Sequence, residues 1–222
     1  KGQVNFRNFT TAEGMTDNDV NSIIEDKSGK MWFGTRGNAC TYDGKTFTKI
    51  THNVNQPFMN VRSIIEDESG NIWLGGNDGL WRYTPDRSLG TFMNFSKRFT
   101  GCIYEDKKGN IWLASWQGVM RYNGDSFANI TNQVSSNRFF ALLEDRKGNF
   151  WFTSIGGGVY YYDGKSFTNF SEKDGLVNDE IWSLIIDKKG TFWIGTNEGV
   201  SRFNGETFTS FPMPKVKVKD TT

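Results

Sequence analysis

The stretch "IEDESGNIWLGGNDGLWRYTPD", residues 65–86, gathers side chains that do chemistry. Three acidic residues, Glu66, Asp67 and Glu68, precede Trp73, and glycines lead from there to Trp81. Carboxylates beside aromatics suit a metal, a sugar or a phosphate. Nucleophilic catalysis is harder to assemble. The one histidine, His52, would have to carry any Ser-His-Asp triad or His-based metal site alone. No Gly-rich phosphate loop precedes a helix, and no helix is expected anywhere in the chain. Cys40 and Cys102 are too few for a disulfide scaffold or a Cys-rich zinc site and read as small apolar fillers. No catalytic residue, metal or cofactor is therefore expected.

The same carboxylates recur, and recurrence changes their meaning. "SIIEDKSGKMWFGT" (22–35) returns as "SIIEDESGNIWLGG" (63–76), "CIYEDKKGNIWLAS" (102–115), "ALLEDRKGNFWFTS" (141–154) and "SLIIDKKGTFWIGT" (183–196). The anchor tryptophans Trp32, Trp73, Trp112, Trp151 and Trp193 are spaced by 41, 39, 39 and 42 residues. Each copy reads as four short strands. The first ends at an acidic residue and turns through Asp-x-x-Gly, a spacing that suits a type I turn closed by a left-handed glycine. The second carries the Trp. The third opens at Gly79, Gly118, Gly158 or Gly199, with Asn38 in the first copy as the residue that best tolerates positive φ. A hairpin signal ("YDGK", "YNGD", "YDGK", "FNGE") leads four copies into the last strand.

Composition agrees with many short strands and tight turns: aromatics are 15% of the 222 residues, and 25 glycines stand against 4 prolines. A net charge of +1 without a basic half argues against a nucleic-acid partner. No apolar run approaches the roughly 18 residues of a membrane helix, so no membrane insertion by this segment is expected. A start at Lys1 without Met suggests a processed N-terminus. A four-stranded meander repeating at about 40 residues buries its faces by radial stacking, which predicts an all-β, five-bladed β-propeller of antiparallel blades. The blades are expected at about 20–51, 61–96, 100–131, 139–171 and 181–211 of one domain spanning 1–222. An extra strand at 4–10 and a tail at 212–222 flank them, and which strand would close the ring stays open.

Repetition also separates scaffold from site. A residue present in every copy serves the blade, which assigns the turn Asp and Gly, the anchor Trp and the acidic neighbours Glu25, Glu66, Glu105 and Glu144 to structure, with Ile186 breaking the last series. The turns after strands one and three hardly vary. The connections after strands two and four do vary, and variation on a rigid scaffold is where binding resides. Just inside strand one the copies carry Asn21, Arg62, Gly101, Phe140 and Trp182; just past strand two they carry Arg36, Asn77, Trp116, Ile155 and Asn197. Asn21, Arg36, Arg62, Asn77, Trp116, Phe140, Trp182 and Asn197 are the predicted ligand-binding residues. Flat aromatics with Arg and Asn suit stacking on sugar rings and hydrogen-bonding their hydroxyls or carboxylates. The competing reading makes Phe140 and Trp182 plugs of a narrow channel.

"FRNFTTAEGMTDNDVNSIIEDKSGKMWFGT" (6–35) and "FSEKDGLVNDEIWSLIIDKKGTFWIGTNEGVSRFNGETFTSF" (170–211) resemble the two-component regulator propeller repeats, and the resemblance covers residues 4–211. Such repeats occur in periplasmic sensor halves of hybrid two-component systems. The resemblance implies a sensor-type recognition module, periplasmic or at the cell surface, and the rim residues point to an oligosaccharide or other small polar ligand. A protein-interaction scaffold is the alternative, with a protein partner on the broad disc surface, and a polysaccharide lyase or hydrolase the third.

Overall fold

The computed structural model describes residues 6–50, 59–84, 86, 90–93, 98–136 and 138–214. They form five antiparallel sheets of four strands, each with its strands in chain order, so the fold is a five-bladed β-propeller. Blade one holds β1 (Val20–Glu25), β2 (Met31–Thr35), β3 (Ala39–Tyr42) and β4 (Phe47–Lys49). Blade two holds β5 (Ser63–Glu66), β6 (Ile72–Gly76), β7 (Gly79–Tyr83) and β8 (Gly90–Phe92). Blade three holds β9 (Thr100–Glu105), β10 (Ile111–Ser115), β11 (Gly118–Tyr122) and β12 (Phe127–Asn129). Blade four holds β13 (Phe139–Glu144), β14 (Phe150–Ser154), β15 (Val159–Tyr162) and β16 (Phe167–Phe170). Blade five holds β17 (Ile181–Ile186), β18 (Phe192–Thr196), β19 (Gly199–Phe203) and β20 (Phe208–Pro212). Two compact units divide the chain: Lys1–Asn129 with blades one to three, and Ile130–Thr222 with blades four and five.

The acidic turn is the joint that folds each blade. Asp26 Oδ1 accepts from the Ser28 and Lys30 amides at 2.9 and 3.1 Å, closing the turn, while Gly29 takes φ 82°. Asp26 Oδ2 accepts the Trp32 indole N–H at 2.7 Å. The same bond joins Asp67 to Trp73 (2.8 Å), Asp106 to Trp112 (2.8 Å), Asp145 to Trp151 (3.4 Å) and Asp187 to Trp193 (3.1 Å). Asp67, in the stretch that looked like a site, is thus occupied by N–H donors, the Asn71 amide among them at 2.7 Å. At the far hairpin, Tyr42, Tyr122 and Tyr162 donate their hydroxyls to the carbonyls of Gly44, Gly124 and Gly164 at 2.8, 2.6 and 2.9 Å.

Within each unit the blades stack through their first strands: β5 lies between β1 and β9, and β13 lies on β17. The small residue two positions past the Trp makes this approach possible. A Cβ on Gly34 would lie 2.8 Å from Val61 Cγ1 and 3.0 Å from Val61 O. Serine hydroxyls stitch the same junctions, with Ser22 Oγ accepting the Ile64 amide at 3.2 Å and Ser63 Oγ the Ile103 amide at 3.0 Å. Neither Cys40 nor Cys102 is in a disulfide, and the Cys102 thiol donates to Ile103 O at 3.9 Å.

Four local expectations are corrected. Asn38 does not take positive φ; its Oδ1 accepts from the Ala39 amide at 2.7 Å, so the side chain does by hydrogen bonding what glycine does by conformation. Residues 6–10 are not a strand, because Phe9 packs against Tyr42 and Phe47 (5.2 and 5.5 Å) and Thr10 caps the turn that follows; Val4 and Asn5 lie outside the described residues. The chain is not wholly without helix: 3-10 turns form at Thr11–Glu13 and Glu172–Asp174, each behind a capping box. The first strand of blade two starts at Ser63 rather than Val61, although Arg62 still donates its amide to Gly75 O at 2.8 Å.

Two outcomes follow from these contacts. Burial pushes the Asp26 carboxyl up, but bonds from Ser28, Trp32 and the Lys30 and Ser28 amides outweigh it and hold the group at about 2. A lowered folded-state value means that the stabilisation is complete above about pH 4 and is lost as pH falls towards 2. Asp26→Asn is expected to lose roughly 1–3 kcal/mol at neutral pH and to flatten the acid limb of a urea-unfolding series. Gly34→Ala, which ordinarily would stiffen the unfolded chain and stabilise, is instead expected to lose about 1–3 kcal/mol by overpacking against Val61 in the same assay.

Candidate functional site

The predicted residues inside strand one share a structural cause. In blades one, three, four and five the register of the first two strands slips by one residue at their outer end. Val20 pairs with Thr35 and Ser22 with Gly34, so Asn21 is left between them. Gly101, Phe140 and Trp182 are left in the same way in the other three blades. These are β-bulges, which free one side chain from the ladder and re-aim it. The residues just past strand two are fixed differently, each by its own amide. Arg36, Asn77, Trp116, Ile155 and Asn197 donate to the carbonyls of Asp19, Met59, Phe99, Arg138 and Glu180 at 2.9–3.1 Å. Every blade therefore carries a rim position past strand two, and blades one, three, four and five carry a second, bulged one, with side chains that differ from blade to blade.

In the first unit the structure joins three of the predicted residues through one that sequence reasoning missed. Arg62 Nη1 donates to Asn21 Oδ1 at 2.8 Å. Asn21 Nδ2 donates to Asn60 Oδ1 at 3.2 Å, and Asn60 Nδ2 to Asn77 Oδ1 at 3.2 Å. Asn60 alone among the described non-glycine residues has positive φ, 52°, and its amide is held by Arg36 O at 2.8 Å. Arg36 itself faces Asp19 across 3.9 Å, with both side chains largely in solvent. Trp116 is 42% exposed and leans on Phe99 at 5.1 Å.

In the second unit Trp182 is the centre. Its ring is 40% exposed and meets Phe140 edge-on at 5.1 Å and 79°. Its indole N–H donates to Asn197 Oδ1 at 2.8 Å, and Asn197 Nδ2 donates to Glu180 Oε2. Glu180 was absent from the sequence reading, and its backbone bridges Ile155. At the blade-four rim a cavity of about 310 Å³ is lined by Ser135, Ser136, Arg138, Ile155, Gly156 and Gly157. A lone variable position gives no sequence signal for Asn60 or Glu180; their shared place two residues ahead of the predicted rim residues Arg62 and Trp182 is the signal that could have found them. His52 lies outside the described residues.

The residues that repeat and those that do not meet a known pattern. The description "Two component regulator propeller" matches residues 14–37, 55–78, 95–117, 133–156 and 175–198, just over half of the chain. The chain belongs to this family. Each match ends one residue past the rim position after strand two, so the family pattern contains both rim positions and the Asp–Trp hairpin between them. No curated protein matches the chain. Among solved structures, the extracellular domain of a hybrid two component system from B. thetaiotaomicron superposes with TM-score 0.76 at 23% identity, covering 91% of this chain and 30% of that one. This regulator propeller chain thus spans less than a third of that relative. Virginiamycin B lyase from Staphylococcus aureus superposes with TM-score 0.70 at 14% identity, covering 93% and 73%. PorZ of Porphyromonas gingivalis, a bacterial surface component of the type-IX secretion system, gives 0.66 at 16%, covering 88% and 32%. At these identities the likeness is one of fold. Among the described residues no helix is long and apolar enough to cross a membrane.

The Trp182–Asn197 bond yields a specific expectation. Asn197→Ala should shift the Trp182 indole N–H resonance and speed its exchange with water, at a stability cost below about 1.5 kcal/mol because the pair is exposed. An unchanged resonance in the NMR spectrum would show that the two side chains do not hold each other.

Proposed function

We propose that this chain is a non-catalytic, sensor-type recognition module that binds an oligosaccharide or similar small polar ligand at the variable rim, in the periplasm or at the cell surface. The observation that carries the reading is the Trp182 group. An exposed indole edge-packed by Phe140 and tethered to an amide and a carboxylate offers a flat face for a sugar ring with acceptors and donors beside it. In the other unit, Arg62, Asn21, Asn60 and Asn77 form a hydrogen-bonded row beside the rim, which suits hydroxyl or carboxylate recognition. Family membership supports a sensor role, and the extracellular location of the solved relative supports the compartment. Fixed backbones below variable side chains are what a binding surface on a rigid scaffold requires.

The proposal is tested by a glycan binding screen on the wild type followed by calorimetry with Trp182→Ala and Trp116→Ala. A loss of about tenfold or more in affinity in at least one variant, with the unfolding midpoint held, is expected. Equal affinity in both variants would move the site away from this rim, and capture of a protein partner without any glycan response would favour the scaffold reading.

A further inference from the structure

The opposite face, built from the repeated turns, holds a second feature. In the first unit the junction between consecutive blades is clasped there by a carboxylate. Glu66, at the end of β5, takes the Lys27 amide at 2.7 Å, and Glu105, at the end of β9, takes the Glu68 amide at 2.8 Å. Lys27 and Glu68 each follow the turn aspartate, so the acid of one blade grips the turn of the blade before. Between blades four and five the clasp cannot form. Arg146 occupies the position after Asp145, but Ile186 stands where the acid would be. The Arg146 guanidinium reaches across instead, Nη2 donating to Lys188 O at 2.7 Å.

One more departure from the repeat falls at the same junction. The position of Arg82 and Arg121, whose guanidinium groups lie over Trp73 and Trp112 at 5.5 and 5.8 Å, is taken by Tyr161, with its ring 4.9 Å from Trp151. Phe170, which matches Phe95 and Phe211 in the repeat where blades one and three carry Ile50 and Ile130, stacks nearly parallel to Trp151, 5.8 Å away at 12°. Together they border a cavity of about 520 Å³, with Arg146 and Ile186 at its lining and Phe192 and Phe203 in its floor. That volume lies in the range of small-molecule pockets. Repetition explains the rest of this face as scaffold, and it does not explain why two departures, Ile186 and Tyr161, meet at one cavity. The charge balance favours an anion. Arg146 and Lys147 line the cavity, while the acid beside them, Asp145, is engaged by the Lys147 and Asn149 amides and by Trp151.

We propose that this cleft is a second binding site, for a six-membered ring that carries a carboxylate. The ligand's carboxylate takes the place of the missing glutamate side chain at Arg146, with the guanidinium beside it, and the ring lies against Tyr161, Trp151 and Phe170. An acidic sugar and an aromatic acid share this chemistry.

The wild-type chain is titrated with methyl glucuronide and with benzoate, using methyl glucoside and benzyl alcohol as uncharged counterparts, while the Trp151 indole resonance is followed by NMR. At least one acid should bind at least about tenfold more tightly than its counterpart, and which acid does so identifies the source. Arg146→Ala should cost about tenfold in affinity or more, and Ile186→Glu, which restores the repeat's own carboxylate, should abolish binding. The unfolding midpoint of Ile186→Glu should be unchanged or higher. Trp182→Ala should leave this titration as it is, so the rim and the cleft fail independently. No response to either acid, equal response to acid and counterpart, or affinity unchanged in both cleft variants would overturn the proposal.

Discussion

Each blade closes its first hairpin around one bond, from a tryptophan indole to the carboxylate of an aspartate six residues earlier. The bond does two jobs that are usually separate. On the Asp side the same carboxylate ties down the turn amides, which fixes where strand one ends and strand two begins. On the Trp side it sets the orientation of a large, nearly buried ring, and that ring is what the next blade packs against. Trp32 meets Tyr83, Trp73 meets Tyr122, and Trp151 meets Phe203, at centroid separations of 5.8–6.1 Å. A propeller blade has little core of its own, so most of its apolar surface is buried by its neighbour. Coupling turn closure to ring orientation makes the local hairpin and the inter-blade junction cooperative: neither is well formed without the other.

Five copies made most of this readable in advance. The spacing of the tryptophans, the Asp-x-x-Gly turns and the Tyr-Asp-Gly hairpins all act locally, through contacts within a few residues, and local contacts leave local signatures. What could not be read was of longer range. That Glu66 and Glu105 reach back to the turn of the preceding blade depends on partners 37–39 residues away, and a series of acids in one column looks the same whether it faces solvent or a neighbouring amide. Asn38 shows the converse limit. Its residue type was compatible with a left-handed backbone, but the side chain found a closer hydrogen bond and the backbone had no need to invert. The capping boxes at Thr10 and Ser171 carry a local signature as well, a hydroxyl residue with an acid three positions on, Glu13 and Asp174.

The rim shows the same division. Variable positions of the repeat point to Asn21, Arg62, Trp116 and Trp182, but that Asn21 and Trp182 stand out of the ladder is hidden. A bulge is a property of pairing between two strands, and it appears only once their registers are known. Asn60 and Glu180, which link the predicted residues into groups, act through contacts set by the connection that precedes each blade, whose course no short motif encodes.

The bulges have a consequence for how such a protein can change over time. A residue in the ladder is constrained by its cross-strand partner and by the neighbouring blade, so substitution there is filtered by folding before it is filtered by use. A bulged residue has no ladder partner, and its replacement leaves the pairing on either side intact. Duplication of a bulged repeat therefore copies a blade together with one position whose chemistry is open to selection at little structural expense. The repeat multiplies stable sheets and, in the same step, multiplies places where new recognition can be tried.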